Sequence, residues 1–186
     1  MRGRRSAAML MVGALVLLAA CERSPVASPG ASVFTATVEG SVVSSYQGTG
    51  HFTFTGLRRP AAPAMFILHS SGIGEAQGQG FELYHPGRAL VDVGSYTIGA
   101  DGGPFTAVYT RTNGSQVERF AARSGEIQVT GSTSTRVAGT FRFSAVLSAV
   151  CSYRGSAVSC TTRAADQDAP AVEVSGSFQA VPSAAR

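Results

Sequence analysis

The chain is 186 residues long and carries 15 arginines, no lysine and 11 acidic residues, a formal charge of +4. Arg2, Arg4 and Arg5 precede an apolar run, so from Cys21 onward twelve arginines face eleven acids and the excess is only +1. No arginine stripe with interleaved aromatics is left, which excludes a nucleic-acid surface, and the remaining 166 residues suffice for one domain with its own core.

Ala7 to Ala20 contains no charged residue. A helix needs about 20 apolar residues to cross a hydrocarbon core of roughly 30 Å, so this run is too short for a comfortable permanent span. A positive start, a short apolar stretch and small residues before a cut site make a secretory signal. The site reads Leu18-Ala19-Ala20-Cys21, which resembles the lipobox of bacterial lipoprotein precursors. The resemblance implies that residues 1–20 are removed and that the Cys21 sulfur receives lipid. In that pathway an aspartate after the cysteine favours retention in the inner membrane. Glu22 stands there instead, so an outer-membrane address is expected. The competing readings are an ordinary signal peptide with a chance cysteine, or an uncleaved anchor.

Residues 22–32, ERSPVASPGAS, are small, polar and proline-bearing, and read as a tether. From residue 33 to 182 the pattern is that of a single β domain: short alternating segments separated by Gly, Asn, Asp and Pro, with no helical period held for three turns. Phe52 and Phe54 alternate with His51, Thr53 and Thr55, whereas Met65-Phe66-Ile67-Leu68 is apolar on both faces and belongs centrally. His85-Pro86-Gly87 and Asp101-Gly102-Gly103-Pro104 are turn clusters. Asn113-Gly114 separates alternating runs 105–112 and 116–122 and predicts a tight hairpin with positive φ at both turn residues.

Ile127 and Val129 alternate with Glu126, Gln128 and Thr130. In 137–149, Val137, Gly139, Phe141, Phe143, Ala145 and Leu147 share one face. In 171–181 it is Val172, Val174, Phe178 and Ala180. One buried face and one wet face describe an antiparallel sheet. About nine or ten strands with short links predict an antiparallel β-sandwich, the alternative being an up-and-down, lipocalin-like barrel whose first and last strands pair around a hollow.

Cys151 and Cys160 are the cysteines left after Cys21. Outside the cytoplasm so close a pair reads as a disulfide, since a metal or redox pair would use a CxxC spacing. Closing a loop of about ten residues contributes roughly 2.5–3 kcal/mol in the chain-entropy model. The stretch SGEIQVTGSTSTRVAGTFRFSAV, with VEVSGSFQAVP near the C-terminus, resembles the end of a group of uncharacterised bacterial lipoprotein domains, over roughly residues 124–182 and faintly from 33. The resemblance implies a "GTFxF" strand followed by a final "xGxF" strand, and it assigns no catalytic residue. The chain departs from that pattern in residues 150–169, a longer link that the expected disulfide would pin.

His51, His69 and His85 lie at no spacing that a local metal motif uses, and are read as a wet-face strand residue, the end of a buried strand and a turn residue. No GxSxG elbow occurs, although a Ser-His-Asp set can assemble from scattered positions. Glu75, Glu82, Asp92 and Asp101 are read as solvated charges, and a glycosidase-like pair is not indicated. The glycine-rich run Gly72–Gly80 lacks the spacing, the lysine and the following helix of a phosphate cradle, and reads as a connection. Asn113-Gly114-Ser115, formally a glycosylation sequon, reads as a turn.

The expectation is therefore a membrane-anchored bacterial lipoprotein with no catalytic residues, no cofactor and no metal, acting as a binding or structural module of the cell envelope. Its partners would be a membrane through the lipid, and an envelope protein, a glycan or an apolar ligand. The alternatives are a carrier of an apolar small molecule and an envelope hydrolase.

Overall fold

The computed structural model describes residues 32–183 except 56–64, 72–77, 88, 100–102, 155–156 and 164–167. Cys21 and the tether up to residue 31 lie outside the described residues, as do Glu75 and Asp101. The described residues form eleven strands and no helix: β1 (Val33–Gly40), β2 (Ser44–Gly48), β3 (Gly50–Thr55), β4 (Met65–Ser71), β5 (Gln79–Pro86), β6 (Gly94–Gly99), β7 (Thr106–Asn113), β8 (Gln116–Thr133), β9 (Arg136–Arg154), β10 (Ala157–Thr162) and β11 (Ala171–Pro182). The all-β antiparallel class is as the alternation predicts, with one or two strands more than expected.

Two long strands organise the molecule. β8 pairs along its whole length with residues 136–152 of β9, with register shifts between Arg119 and Phe120, Ala122 and Ser124, and Val129 and Gly131. Such irregularities bend a strand and increase its twist, so each long strand serves two halves of the fold. The first part of β8 pairs with β7 and its later part with β6. The first part of β9 pairs with β11 and its end with β10.

β11 pairs antiparallel with β1 on one edge, and its last residues, Ala180–Pro182, pair parallel with Gly50–Phe52 of β3. Because β11 also pairs with β9, the path β9-β8-β7-β5-β4-β3-β11 closes on itself. The fold thus shares features of both expected architectures, a closed path of strands with a packed interior.

The first and last strands do pair, as a barrel requires, but the interior is filled. A chain of buried rings crosses it from β1 to β8: Phe34 lies 5.3 Å from both Phe141 and Phe81, Phe81 lies 5.1 Å from Tyr109, and Tyr109 lies 5.7 Å from Phe120. Val38, Leu83, Phe143, Val174 and Phe178 complete the same core. Aromatic pairs at these separations add about 0.5–1.5 kcal/mol beyond the area they bury.

The two glycine-phenylalanine motifs find their physical reason here. Gly139 stands opposite Phe178, and Gly176 stands opposite Phe141, so each motif's glycine faces the other's ring. At Gly176 an added Cβ would meet the Phe141 Cζ at 2.7 Å and press on the Thr35 carbonyl oxygen. Glycine opposite an aromatic lets the ring lie across the neighbouring strand and pins the register.

Local details depart from expectation in three places. The β7–β8 hairpin turns on Gly114 and Ser115, and positive φ occurs at Gly114 (62°) and not at Asn113, which pairs with Gln116 as the last strand residue. That is the pattern with glycine first in a two-residue turn. His85-Pro86 ends β5 instead of turning, and the turn falls at Gly87, φ 133°. Much of the supposed link at 150–169 is sheet: β9 runs on to Arg154 and returns as β10. Cys151 and Cys160 face each other in this hairpin and form the disulfide, with Cα atoms 4.0 Å apart.

Candidate functional site

Alternation on β3, β4 and β5 sends Phe52, Leu68 and Phe81 into the core, and the residues between them outward. Register then aligns His51 with His69 and His69 with Glu82, one row across three strands. The imidazole centroids of His51 and His69 are 5.8 Å apart with planes inclined by 35°. His69 Nε2 lies 3.1 Å from the Ser183 hydroxyl, just past the end of β11. Tyr84 donates its hydroxyl hydrogen to Glu82 Oε2. His51 Nδ1 is buried without a hydrogen-bond partner, a condition that costs about 1–3 kcal/mol for a neutral group.

A cleft of about 220 Å³ opens beside the row, lined by His69, Glu82, Thr110, Arg119 and the disulfide's Cys151 among others. Burial holds His69 below the usual histidine range, the neighbouring His51 lowers it further, and Glu82 opposes both. Burial pushes the Tyr84 phenol up, and its hydrogen bond to Glu82 and that residue's negative charge push it the same way. The row therefore presents a neutral imidazole and a neutral phenol at neutral pH.

His85 stands apart. Its ring packs 4.9 Å from Phe105 and 6.1 Å from Tyr96, its Nδ1 is buried without a partner, and burial lowers its pKa. The turn reading of His85 is thus corrected: it follows Phe81 and Leu83 on the inner face of β5. His69 stands, as read, near the end of a strand whose Phe66 and Leu68 are buried, and is itself half-buried on the opposite face. Asp92 contributes a backbone carbonyl that accepts the Tyr96 hydroxyl at 2.8 Å, and its side chain is exposed.

Ser183, His69 and Glu82 fall in the order nucleophile, base, carboxylate, and the serine–histidine distance suits such a pair. Two features weaken the set as a catalytic unit. The Glu82 carboxylate is engaged by Tyr84, and the Ser183 amide is spent on the Phe52 carbonyl at 2.8 Å, so it is not offered to an oxyanion. Among the described residues no three His, Cys, Asp or Glu side chains gather as a metal centre would hold them.

A second opening, a groove of about 510 Å³, lies where the β1–β2 turn meets the β7–β8 hairpin, lined by Val42, Val43, Gln79, Tyr109 and Arg111 among others. Its floor is hydrogen-bonded: Tyr109 and Ser44 both donate to Gln79 Oε1, at 3.1 and 3.0 Å. Arg111 at its side pairs with Glu118 at 2.5 Å. Burial raises the Glu118 pKa, but the bonds from Arg111 and Asn113 outweigh it and leave the carboxyl below its ordinary value.

Sequence reasoning singled out the histidines but not Tyr84, Arg119 or Ser183. The alternation of Phe81, Leu83 and His85 could have placed Glu82 and Tyr84 on one face, whereas Ser183 and Arg119 join the site only through register. No protein-family model, curated protein or solved structure matches the chain.

Proposed function

We propose that the chain is a lipid-anchored, non-catalytic binding module of a bacterial cell envelope, held through Cys21 and exposing its ligand surface on the outside of the β domain. The reading is carried by the apolar run that ends in Leu18-Ala19-Ala20-Cys21, with a tether of eleven residues after it. The filled interior supports binding outside the strands over carriage within them, since the rings of Phe34, Phe81, Tyr109 and Phe141 take the space an apolar cargo would need. The groove at Val42 and Val43 lies at the far end of β1 from its start at Val33, about 25 Å along an eight-residue strand, so the tether's entry leaves it uncovered. An envelope protein or a glycan suits such an open, largely polar groove.

In a bacterial host, the chain recovered from membranes should begin at Cys21 and carry the added mass of lipid there, and Cys21→Ser should carry no lipid mass. A membrane-recovered wild type whose Cys21 bears no lipid would sink the proposal. Hydrolysis is the second reading, favoured by the Ser183–His69 contact alone. A fluorophosphonate probe decides it: the binding module takes up no label, and label that disappears in Ser183→Ala would make the protein a serine hydrolase.

A further inference from the structure

We infer that His51 and His69 form a site for a divalent transition metal of the zinc class, two imidazoles on neighbouring strands with solvent completing the coordination. This stands independently of the anchoring proposal. The residues are cross-strand partners, so their side chains leave neighbouring strands side by side on one face. An imidazole nitrogen binds zinc at about 2.0–2.1 Å, which puts each ring centre about 3.2 Å from the ion and two rings on one tetrahedral ion about 5 Å apart. The observed separation of 5.8 Å lies within a side-chain rotation of that value.

His51 Nδ1 gives the site its second, independent observation. With no partner in the protein, that nitrogen can turn to an ion without giving up a hydrogen bond. Glu82, next in the row, contributes a negative charge beside the pair without being required as a ligand. Two imidazole ligands select zinc, nickel or copper over magnesium or calcium, which want oxygen. His85, enclosed by Phe105 and Tyr96, has no second imidazole and serves as the internal control.

The test uses the untagged full chain in detergent, titrated with Zn²⁺ and, separately, with Mg²⁺. One equivalent of zinc should bind and raise the thermal midpoint in a concentration-dependent way, while magnesium does neither. His51→Ala and His69→Ala should each weaken zinc binding at least about tenfold, since the loss of an outer-shell partner alone costs that much, and His85→Ala should leave it unchanged. The double variant His51→Gln with His69→Gln keeps polar groups at both positions; it should melt like the wild type without metal and show no zinc response. Folded wild type that ignores millimolar zinc would overturn the site, and so would a glutamine double variant that binds zinc as the wild type does.

Discussion

Phe141→Ala should lower the unfolding free energy by about 3–5 kcal/mol, the range for deleting a buried aromatic ring. Phe141 is the hinge of the packing. Its ring lies 5.3 Å from Phe34, 6.0 Å from Phe143 and 6.4 Å from Phe178, so it joins β1, β9 and β11 at once. Its removal also uncovers Gly176, which has no side chain to fill the space. Domains of this size are stable by about 5–15 kcal/mol, so the loss is a large fraction of the total. Denaturant titration with an unchanged slope is the check, and a loss below about 1 kcal/mol would mean that this ring does not hold the two halves together.

Gly176→Ala should cost about 1–3 kcal/mol although it adds a single methyl group. The new Cβ would sit 2.7 Å from the Phe141 Cζ and also against the Thr35 carbonyl oxygen. The ring has some freedom to retreat, but the carbonyl belongs to the paired backbone of β1 and does not. The two substitutions share one space, so they should not add. In the Phe141→Ala background the cost of the alanine should shrink without vanishing, because the Thr35 contact remains. Strict additivity, measured by the double-mutant cycle, would contradict the reciprocal pairing of the two glycine-phenylalanine motifs.

The strands with one buried face were legible because burial imposes a period of two. Residues 137–149 and 171–181 show it plainly, and both lie inside β9 and β11. Strands that lack a buried face left no such mark. Ser159, Cys160, Thr161 and Thr162 of β10 are all exposed, so the segment reads as a link. β2, with sequence SSYQG, has Tyr46 as its one large apolar contact with the core. β8 reads as two strands because Arg123, Ser124 and Gly125 interrupt the apolar pattern, whereas the backbone passes through that stretch with a shift in register.

The candidate site was hidden for a related reason. His51 and His69 are 18 positions apart, and their pairing depends on where β4 re-enters the sheet, a matter of register that composition does not encode. Glu82, Tyr84 and Ser183 join the same patch through further steps of register. The disulfide could be read because two cysteines nine positions apart leave few geometries, and a two-stranded hairpin is one of them. What the sequence could not disclose is that this hairpin brings Cys151 to the wall of the cleft beside His69.

The anchoring claim meets its most direct test at Cys21. Cells fed a labelled fatty acid should incorporate label into the wild-type chain and none into Cys21→Ser. Label that persists on the serine variant would contradict the account.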